Sequence, residues 1–138
     1  MLTEGRGVPI GVAVDGANRR DMKLARATIA SIVVARPAPT EEQPQGMGLD
    51  KGYDDDEVRA TLREFGFTAH MRSRGEEAKE IAREAGTRAR RRVVERSHSW
   101  LNRFRRLLIR WEKKPEHYLA FLHVACGVIA LRAAGLFG

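Results

Sequence analysis

Cysteine, aromatic residues and long apolar runs are all scarce in this chain of 138 residues. The single cysteine, Cys126, excludes a disulfide within the chain, and the sequence has no Cys/His spacing typical of a metal site. Aromatic residues make up 7% of the sequence, so a core would consist mainly of Leu, Ile, Val and Ala. Cys126 lies in an apolar helical pattern, and we expect it to be buried rather than reactive.

Signals for secretion or membrane insertion are also lacking in the sequence. Residues 1–14, MLTEGRGVPIGVAV, have neither the basic start with an apolar run nor the cleavage pattern of a secretory leader. The apolar stretch from Leu119 to Leu131 is shorter than the roughly 20 residues that cross a bilayer, and His123 interrupts it. We therefore expect one cytoplasmic domain over residues 1–138, with no membrane partner.

Basic charge is concentrated in one part of the chain. Residues 71–114 hold 15 Lys and Arg against 6 Glu, whereas residues 1–70 hold 9 basic against 11 acidic residues. The net charge of +7 therefore comes from one block, which favours a polyanionic partner such as nucleic acid. A basic face that is merely solvated is the alternative.

The first half of the chain alternates strand and helix patterns. Residues 8–14 predict a strand because β-branched residues alternate with small ones. A helix is predicted from Asp21, as its N-cap, until Arg36-Pro37 ends it, and residues 37–45 read as a loop rich in proline. This alternation indicates an α/β domain.

A second strand and helix follow that loop. Residues 47–49 predict a short strand, and the acidic run 54–56 predicts the start of a helix that Gly66 ends. Residues 67–71 predict another strand, and residues 72–89 have a partly helical pattern. The helix is predicted to bury one apolar face, formed by Val58, Leu62 and Phe65.

Two helices are predicted at the C-terminal end. The 3.6-residue period predicts a helix from about Arg90 to Lys113, and Pro115 begins a second helix that packs back onto it. The predicted buried face of the first helix contains Val93, Val94, Ser97, Trp100, Leu101, Phe104, Leu107, Leu108 and Trp111.

Two acidic residues are candidates for a functional site. Asp50 follows a predicted strand, at the edge where α/β folds commonly build their sites, although a turn or cap role is the alternative. Glu95 lies opposite the apolar face of its helix, where Arg–Glu pairs on an exposed surface are the alternative reading. The polar residues on the same side as Glu95 are Arg91, His98, Ser99 and Asn102.

Four segments of the sequence together resemble a known family. They are LTEGRGVPIGVAVDGANRRD, LDKGYD, HMRSRGEE and RRRVVERSHSWLNRFRRLLIRWEKKPEHYLAFLHVACGVIALR. In this order and spacing they resemble the DDE transposases of bacterial insertion sequences, in the IS-four/IS-five superfamily. The resemblance covers essentially the whole chain. It implies a ribonuclease-H-like α/β fold in which two aspartates and one glutamate surround two divalent metal ions.

The resemblance also implies roles for particular residues. Asp50 looks like the second catalytic aspartate and Glu95 like the catalytic glutamate, both as ligands of Mg²⁺ or Mn²⁺. Arg91 fits the family signature, whereas Arg88 stands at its tyrosine position and Asn102 at its lysine position. The residues expected to contact DNA are Arg91, His98, Asn102, Arg103, Arg105 and Arg106.

The first aspartate of the family lies upstream of the segment that LTEGRGVPIG resembles, so we expect this chain to begin after it. Turn and cap roles are expected for Asp15 and Asp21, which are not taken as substitutes. The fold would be a partial ribonuclease-H-like domain, a short mixed sheet flanked by helices, without its first strand and with two long C-terminal helices. Frameshifted expression and a decayed or misannotated gene are both compatible with such a start.

The implied function is DNA transposition, with the ends of the element and the target DNA as partners. Two Mg²⁺ ions held by carboxylates can activate a water or a DNA 3′-hydroxyl and stabilise the departing oxygen. We expect the chain to be inactive unless an upstream-frame product or a second copy completes it. A non-catalytic basic DNA-binding module is the alternative, while a stand-alone nuclease would need a complete carboxylate set.

Overall fold

The computed structural model describes residues 1–16, 18, 21–71 and 91–137. Strands and helices alternate in the first half and helices follow in the second, which confirms the α/β expectation. The strands are β1 (Leu2–Thr3), β2 (Pro9–Gly11), β3 (Gln45–Leu49) and β4 (Phe67–Met71). The helices are α1 (Ala25–Ala30), α2 (Asp56–Glu64), α3 (Arg91–Leu101), α4 (Arg105–Leu108) and α5 (Pro115–Ala133), with 3₁₀ turns at Asp21–Leu24 and Lys51–Tyr53.

The described strands form two separate hydrogen-bonded pairs. β1 and β2 are antiparallel, with Leu2 opposite Gly11. β3 and β4 are parallel over five residues each, from Gln45 opposite Phe67 to Leu49 opposite Met71. Parallel neighbours need a crossover connection, and α2 provides it.

Helix α2 has clear start and stop signals, as predicted. The Asp55 side chain accepts a hydrogen bond of 2.8 Å from the backbone N–H of Glu57, and Asp56 and Glu57 add negative charge to the first turn. Gly66 adopts a φ of 74° directly after the helix, a conformation that favours glycine. Val58 and Leu62 are buried and lie between this helix and the parallel strands.

The described residues form two hydrophobic clusters. The α/β core lies among α1, β3, α2 and β4 and contains the buried residues Ile29, Met47, Val58 and Leu62. The helical core lies among the end of β2, α3 and α5 and contains the buried residues Val12, Leu101, Leu122, Ala125 and Ile129. Cys126 packs against the helical core but is only half-buried, less than expected, and this partial burial raises the pKa of the thiol.

The β1–β2 pair contributes to both cores. Leu2 packs against the α/β core, whereas Val12, directly after β2, belongs to the helical core. Ser31 joins β2 to α1 because its hydroxyl accepts a hydrogen bond of 2.8 Å from the N–H of Val12 and donates to the carbonyl of Thr28. Gly11 allows this approach, since a Cβ at that position would lie 2.7 Å from the Thr28 carbonyl oxygen.

The first predicted helix and strand are shorter than expected. Residues 8–14 were predicted as a strand, but β2 ends at Gly11 because Val12 bonds to the Ser31 side chain instead of a strand. The helix predicted up to Arg36 ends at Ala30, and the N–H of Val33 then bonds to the carbonyl of Ile10. The guanidinium of Arg36 instead binds Gln45 and the carbonyl of Phe65.

The predicted helix from Arg90 to Lys113 is wrong beyond Leu101. The backbone of Phe104 is extended, with φ −88° and ψ 104°, so α3 ends and the short α4 begins at Arg105. Lys114 is extended as well, as is typical of a residue before proline. As a result Leu108 and Trp111, predicted to be buried, are 59% and 73% exposed. Val94 lies before the break, within α3, and is also exposed although it was predicted to be buried.

Helix α5 begins at Pro115 and packs on α3 and α4, as predicted. Leu122, Ala125 and Ile129 form its buried stripe, and Gly135 follows its end with a φ of 74°. In the part of the chain that the structure describes, none of the helices is both long and apolar enough to cross a membrane.

Candidate metal and DNA-contact residues

Asp50 lies at the carboxyl end of β3, next to the parallel strand β4. Its side chain is exposed, and its backbone carbonyl accepts a hydrogen bond of 2.9 Å from the N–H of Tyr53, which starts the turn that leads into α2. Both parallel strands end at this edge, since Leu49 is opposite Met71. The strand order thus presents the Asp50 carboxylate where α/β folds commonly bind ligands.

Glu95 lies on the exposed side of α3, as predicted. Ser97 and Leu101 of the same helix are buried, whereas Glu95 is exposed. His98, Ser99 and Asn102 are exposed too, which confirms the polar ridge as far as Asn102. Arg91 is the first residue of α3, and its side chain lies outside the described residues. The segment that contains Arg88 also lies outside them.

The buried side of α3 docks on the turn between β1 and β2. The Ser97 hydroxyl, which is fully buried, donates to the carbonyl of Gly7, and Arg96 donates to the carbonyl of Arg6 over 2.8 Å. Gly7 has a φ of 93°, and a Cβ there would lie 3.2 Å from Ser97 Oγ and 3.3 Å from the Val93 carbonyl oxygen. A glycine is therefore required where the helix carrying Glu95 meets the hairpin.

Glu4 stabilises the conformation of the turn between β1 and β2. Its Oε1 accepts hydrogen bonds of 2.9 and 3.0 Å from the N–H groups of Arg6 and Val8. Partial burial alone raises the pKa of Glu4, but these bonds and the charge of Arg6 outweigh it, so the pKa is lowered. The carboxylate thus fixes the loop against which α3 packs.

β1 links the element that carries Asp50 to the helix that carries Glu95. It contacts α3, and its residue Leu2 packs against the cluster that includes Met47 of β3. This connection supports a common site, although the approach of the two carboxylates to within reach of one ion stays a prediction. Among the residues that the structure describes, no three His, Cys, Asp or Glu side chains form a group that could hold a metal ion.

The basic residues predicted to contact DNA lie on both sides of the helix break. His98 is exposed in the last turn of α3, Asn102 and Arg103 are exposed between α3 and α4, and Arg105 is exposed as the first residue of α4. Arg106 differs from them, because its guanidinium stacks on the Phe121 ring at 4.7 Å and its Nε lies 3.5 Å from Glu112 Oε1. These contacts orient Arg106, whose side chain remains 62% exposed, and Arg103 and Arg105 are exposed near it.

An open cleft of about 640 Å³ between α4 and α5 was missed by the sequence analysis. It is lined by residues that include Arg106, Trp111 and Phe121. The cleft was not predicted because Leu107, Leu108 and Trp111 continue the apolar helical spacing past Leu101, where α3 ends, and so predicted one continuous helix. Pro115 disfavours a helical conformation only at Lys114, so it gave no signal of the break after Leu101.

Comparison with known proteins identifies the family. Residues 47–132 match the family model of the transposase DDE domain. The chain is also 32% identical over 131 residues to a protein of Burkholderia cepacia described as a transposase for insertion sequence element IS402. The chain belongs to the insertion-sequence DDE transposases. The matched region contains both Asp50 and Glu95.

The similarity to this relative covers 94% of the present chain and 60% of the relative. The chain therefore spans less than two thirds of that transposase. No solved structure matches the chain.

Proposed function

We propose that this chain supplies two of the three metal-binding carboxylates of a transposase, Asp50 and Glu95, and acts in DNA transposition. The observation that carries the proposal is the match over residues 47–132, which contains both residues, with Asp50 at the edge of the parallel strands. Mg²⁺ or Mn²⁺ bound there would supply activation of a water or 3′-hydroxyl and stabilisation of the departing oxygen. The chain's own role is to present the carboxylates and to hold the DNA.

The donor type of Asp50 and Glu95 fits these metals, since Mg²⁺ and Mn²⁺ prefer carboxylate oxygens. Two carboxylates do not complete such a site, and within the described ranges no three His, Cys, Asp or Glu side chains form a group that could hold a metal ion. We assign the first aspartate to the part of the longer transposase that lies outside the 60% matched here. Asp15 accepts a hydrogen bond of 2.7 Å from Gly16, in keeping with a turn role.

We further propose that the two strand pairs are parts of one ribonuclease-H-like sheet. β1 and β3 have one strand partner each in the described part of the chain, and Leu2 of β1 packs against the core that contains Met47 of β3. A strand from the rest of the transposase could pair with both edges, and unpaired edges of this kind readily accept another strand. Such a strand would also bring the first aspartate close to Asp50.

DNA is the proposed partner because the basic block ends on an exposed surface. Arg103 and Arg105 are exposed next to the ridge that carries Glu95, where they can contact DNA phosphates. Binding should be largely independent of sequence and strongly weakened by salt, because phosphate contacts release counterions. Replacing Arg103, Arg105 and Arg106 together by Gln should reduce both the affinity and its dependence on salt.

The test is a DNA cleavage and joining assay in Mg²⁺ or Mn²⁺, on DNA that carries the ends of the element. The chain alone is compared with an in-frame fusion to the sequence encoded upstream. We expect activity from the fusion only. Asp50→Asn and Glu95→Gln should abolish this activity, whereas the matched control Glu41→Gln, which changes an exposed acid in the loop 37–45, should leave it unchanged.

Two results would contradict parts of this proposal. Cleavage by the short chain that disappears in Glu95→Gln would mean that its own residues complete the site, with Asp15 or Asp21 as the next candidates. Salt-sensitive DNA binding without any cleavage by the fusion would favour a non-catalytic DNA-binding module.

A further inference from the structure

The cleft between α4 and α5 combines aromatic rings with positive charge. Trp111 is 73% exposed and Phe121 37% exposed, although both are large apolar side chains. Lys113 and His117 line the same cleft and are exposed. Exposed aromatic rings beside cations occur where proteins stack nucleic-acid bases and neutralise the adjoining phosphates.

The cationic wall of this cleft is held in place before any ligand binds. The Arg106 guanidinium lies over the Phe121 ring, and Glu112, whose side chain is only 7% exposed, lies 3.5 Å from Arg106 Nε. Arg110 stacks in a similar way on Tyr118, at 5.4 Å. These contacts orient both arginines, of which Arg106 lines the cleft, so the order of the Arg106 side chain does not have to be gained on binding.

Charge favours a polyanion in the cleft over a peptide or a second copy of the chain. Between Arg103 and Lys114 the sequence has six Lys and Arg and a single acid, Glu112. That acid is paired with Arg106, so the remaining cations are unopposed by acids of this segment. The volume of about 640 Å³ is within the range of sites that take small organic groups such as a nucleotide.

We propose that this cleft binds single-stranded DNA, with a base stacked on Trp111 and phosphates against Arg106 and Lys113. Stacking requires an accessible base face, and a duplex buries its base faces except at its ends. The cleft should therefore select unpaired nucleotides, whereas the exposed arginines near Glu95 contact either form. This inference rests on DNA as the proposed partner but does not need the metal site.

The test measures binding of the full chain to an oligothymidylate, to a blunt duplex and to an abasic oligonucleotide with the same number of phosphates. Trp111→Ala should weaken binding of the oligothymidylate about tenfold and leave duplex binding unchanged. Trp111→Phe should restore most of the affinity, since a smaller ring still stacks. The matched control is Phe137→Ala, which removes an exposed aromatic outside the cleft and should change nothing.

Fluorescence gives a second readout, because the chain has only two tryptophans. The oligothymidylate should quench the emission of the wild-type chain but not that of Trp111→Phe, in which only the half-buried Trp100 remains. A charge control compares Arg106→Gln with Arg63→Gln, an exposed arginine of α2, and only the former should weaken binding to single strands more than to duplex.

Several outcomes would overturn the inference. These are an unchanged affinity of Trp111→Ala for the oligothymidylate, an equal loss for duplex and single strand, and abasic binding that depends on Trp111. A change in oligomeric state on Trp111→Ala would instead identify the cleft as a contact between copies. If the wild-type chain still binds duplex DNA in any of these cases, the proposed function stands. If the wild-type chain binds no DNA at all, both the inference and the proposed function are contradicted.

Discussion

The α/β core and the helical core use the same kinds of apolar residue but leave different surfaces. Around the α/β core, the exposed large apolar residues are confined to Val33 and Val34 among the described residues. The helical half exposes Val94, Leu108, Ile109, Trp111, Phe121, Val124, Leu131, Leu136 and Phe137. Such a surface, in the half whose residues 91–114 include nine Lys and Arg, is typical of a region that contacts a partner.

This difference indicates that the two halves have different roles, one in supporting the fold and the other in contacting a partner. The α/β half holds Asp50 at a strand end, with its helix α2 capped at Asp55 and stopped at Gly66. The helical half carries Glu95, the exposed arginines and the cleft. The β1–β2 hairpin connects the two halves, so the geometry of a shared site depends on that connection.

Removing a side chain from the centre of each core should give the largest effect and sharpen the comparison. Leu62→Ala should lower the free energy of unfolding by about 2 to 5 kcal/mol, because Leu62 is 1% exposed among packed neighbours. Leu122→Ala should cost less, since Leu122 is 7% exposed on a helix with an open opposite face. Urea unfolding measures both changes. An equal or larger loss for Leu122→Ala would argue against a tighter α/β core.

Gly7→Ala should break the connection between the hairpin and α3. The φ of 93° and the approach of Ser97 and Val93 make an added Cβ unfavourable, by about 1 to 3 kcal/mol. The control is Gly52→Ala, where an added Cβ meets no atom within 4 Å. Thermal unfolding should show a large shift for Gly7→Ala and a small one for Gly52→Ala. Equal shifts would mean that the docking of α3 does not depend on this turn.

Acid should weaken the same connection, by a smaller amount. The pKa of Glu4 is lowered in the folded chain from its ordinary 4.5, so its contribution is present above that value and is lost as the pH falls through the lowered pKa. Glu4→Gln should flatten the stability profile in this acidic window and leave its shape near neutral pH unchanged. An unaltered profile below pH 4.5 would show that the turn does not depend on the Glu4 charge.

The sequence predicted elements well where a local signal marks each end. Asp55 and Gly66 bound α2, and Pro115 begins α5, because capping and proline geometry act within a few residues. The position of Asp50 after β3 and the exposure of Glu95 followed from the same local rules.

Contacts between distant residues account for what the sequence did not predict. Residue Ser31 ends β2 by bonding to Val12 across 19 positions, and Gly7 receives Ser97 across 90 positions. Periodicity could not reveal the break after Leu101. The N–H groups of Arg103 and Phe104 bond to carbonyls three residues earlier, as in a 3₁₀ turn, and this leaves the apolar spacing nearly unchanged. The exposure of Trp111 follows from that break.

The central claim is that Asp50 and Glu95 share a divalent ion. The most direct measurement is the Mn²⁺ affinity of the chain by electron paramagnetic resonance, in wild type, Asp50→Asn, Glu95→Gln and the double variant, with Glu41→Gln as control. Two ligands of one ion are coupled, so the account predicts that the double variant loses less affinity than the two single losses added together. Independent losses that add, or losses no larger than that of Glu41→Gln, would contradict a shared site.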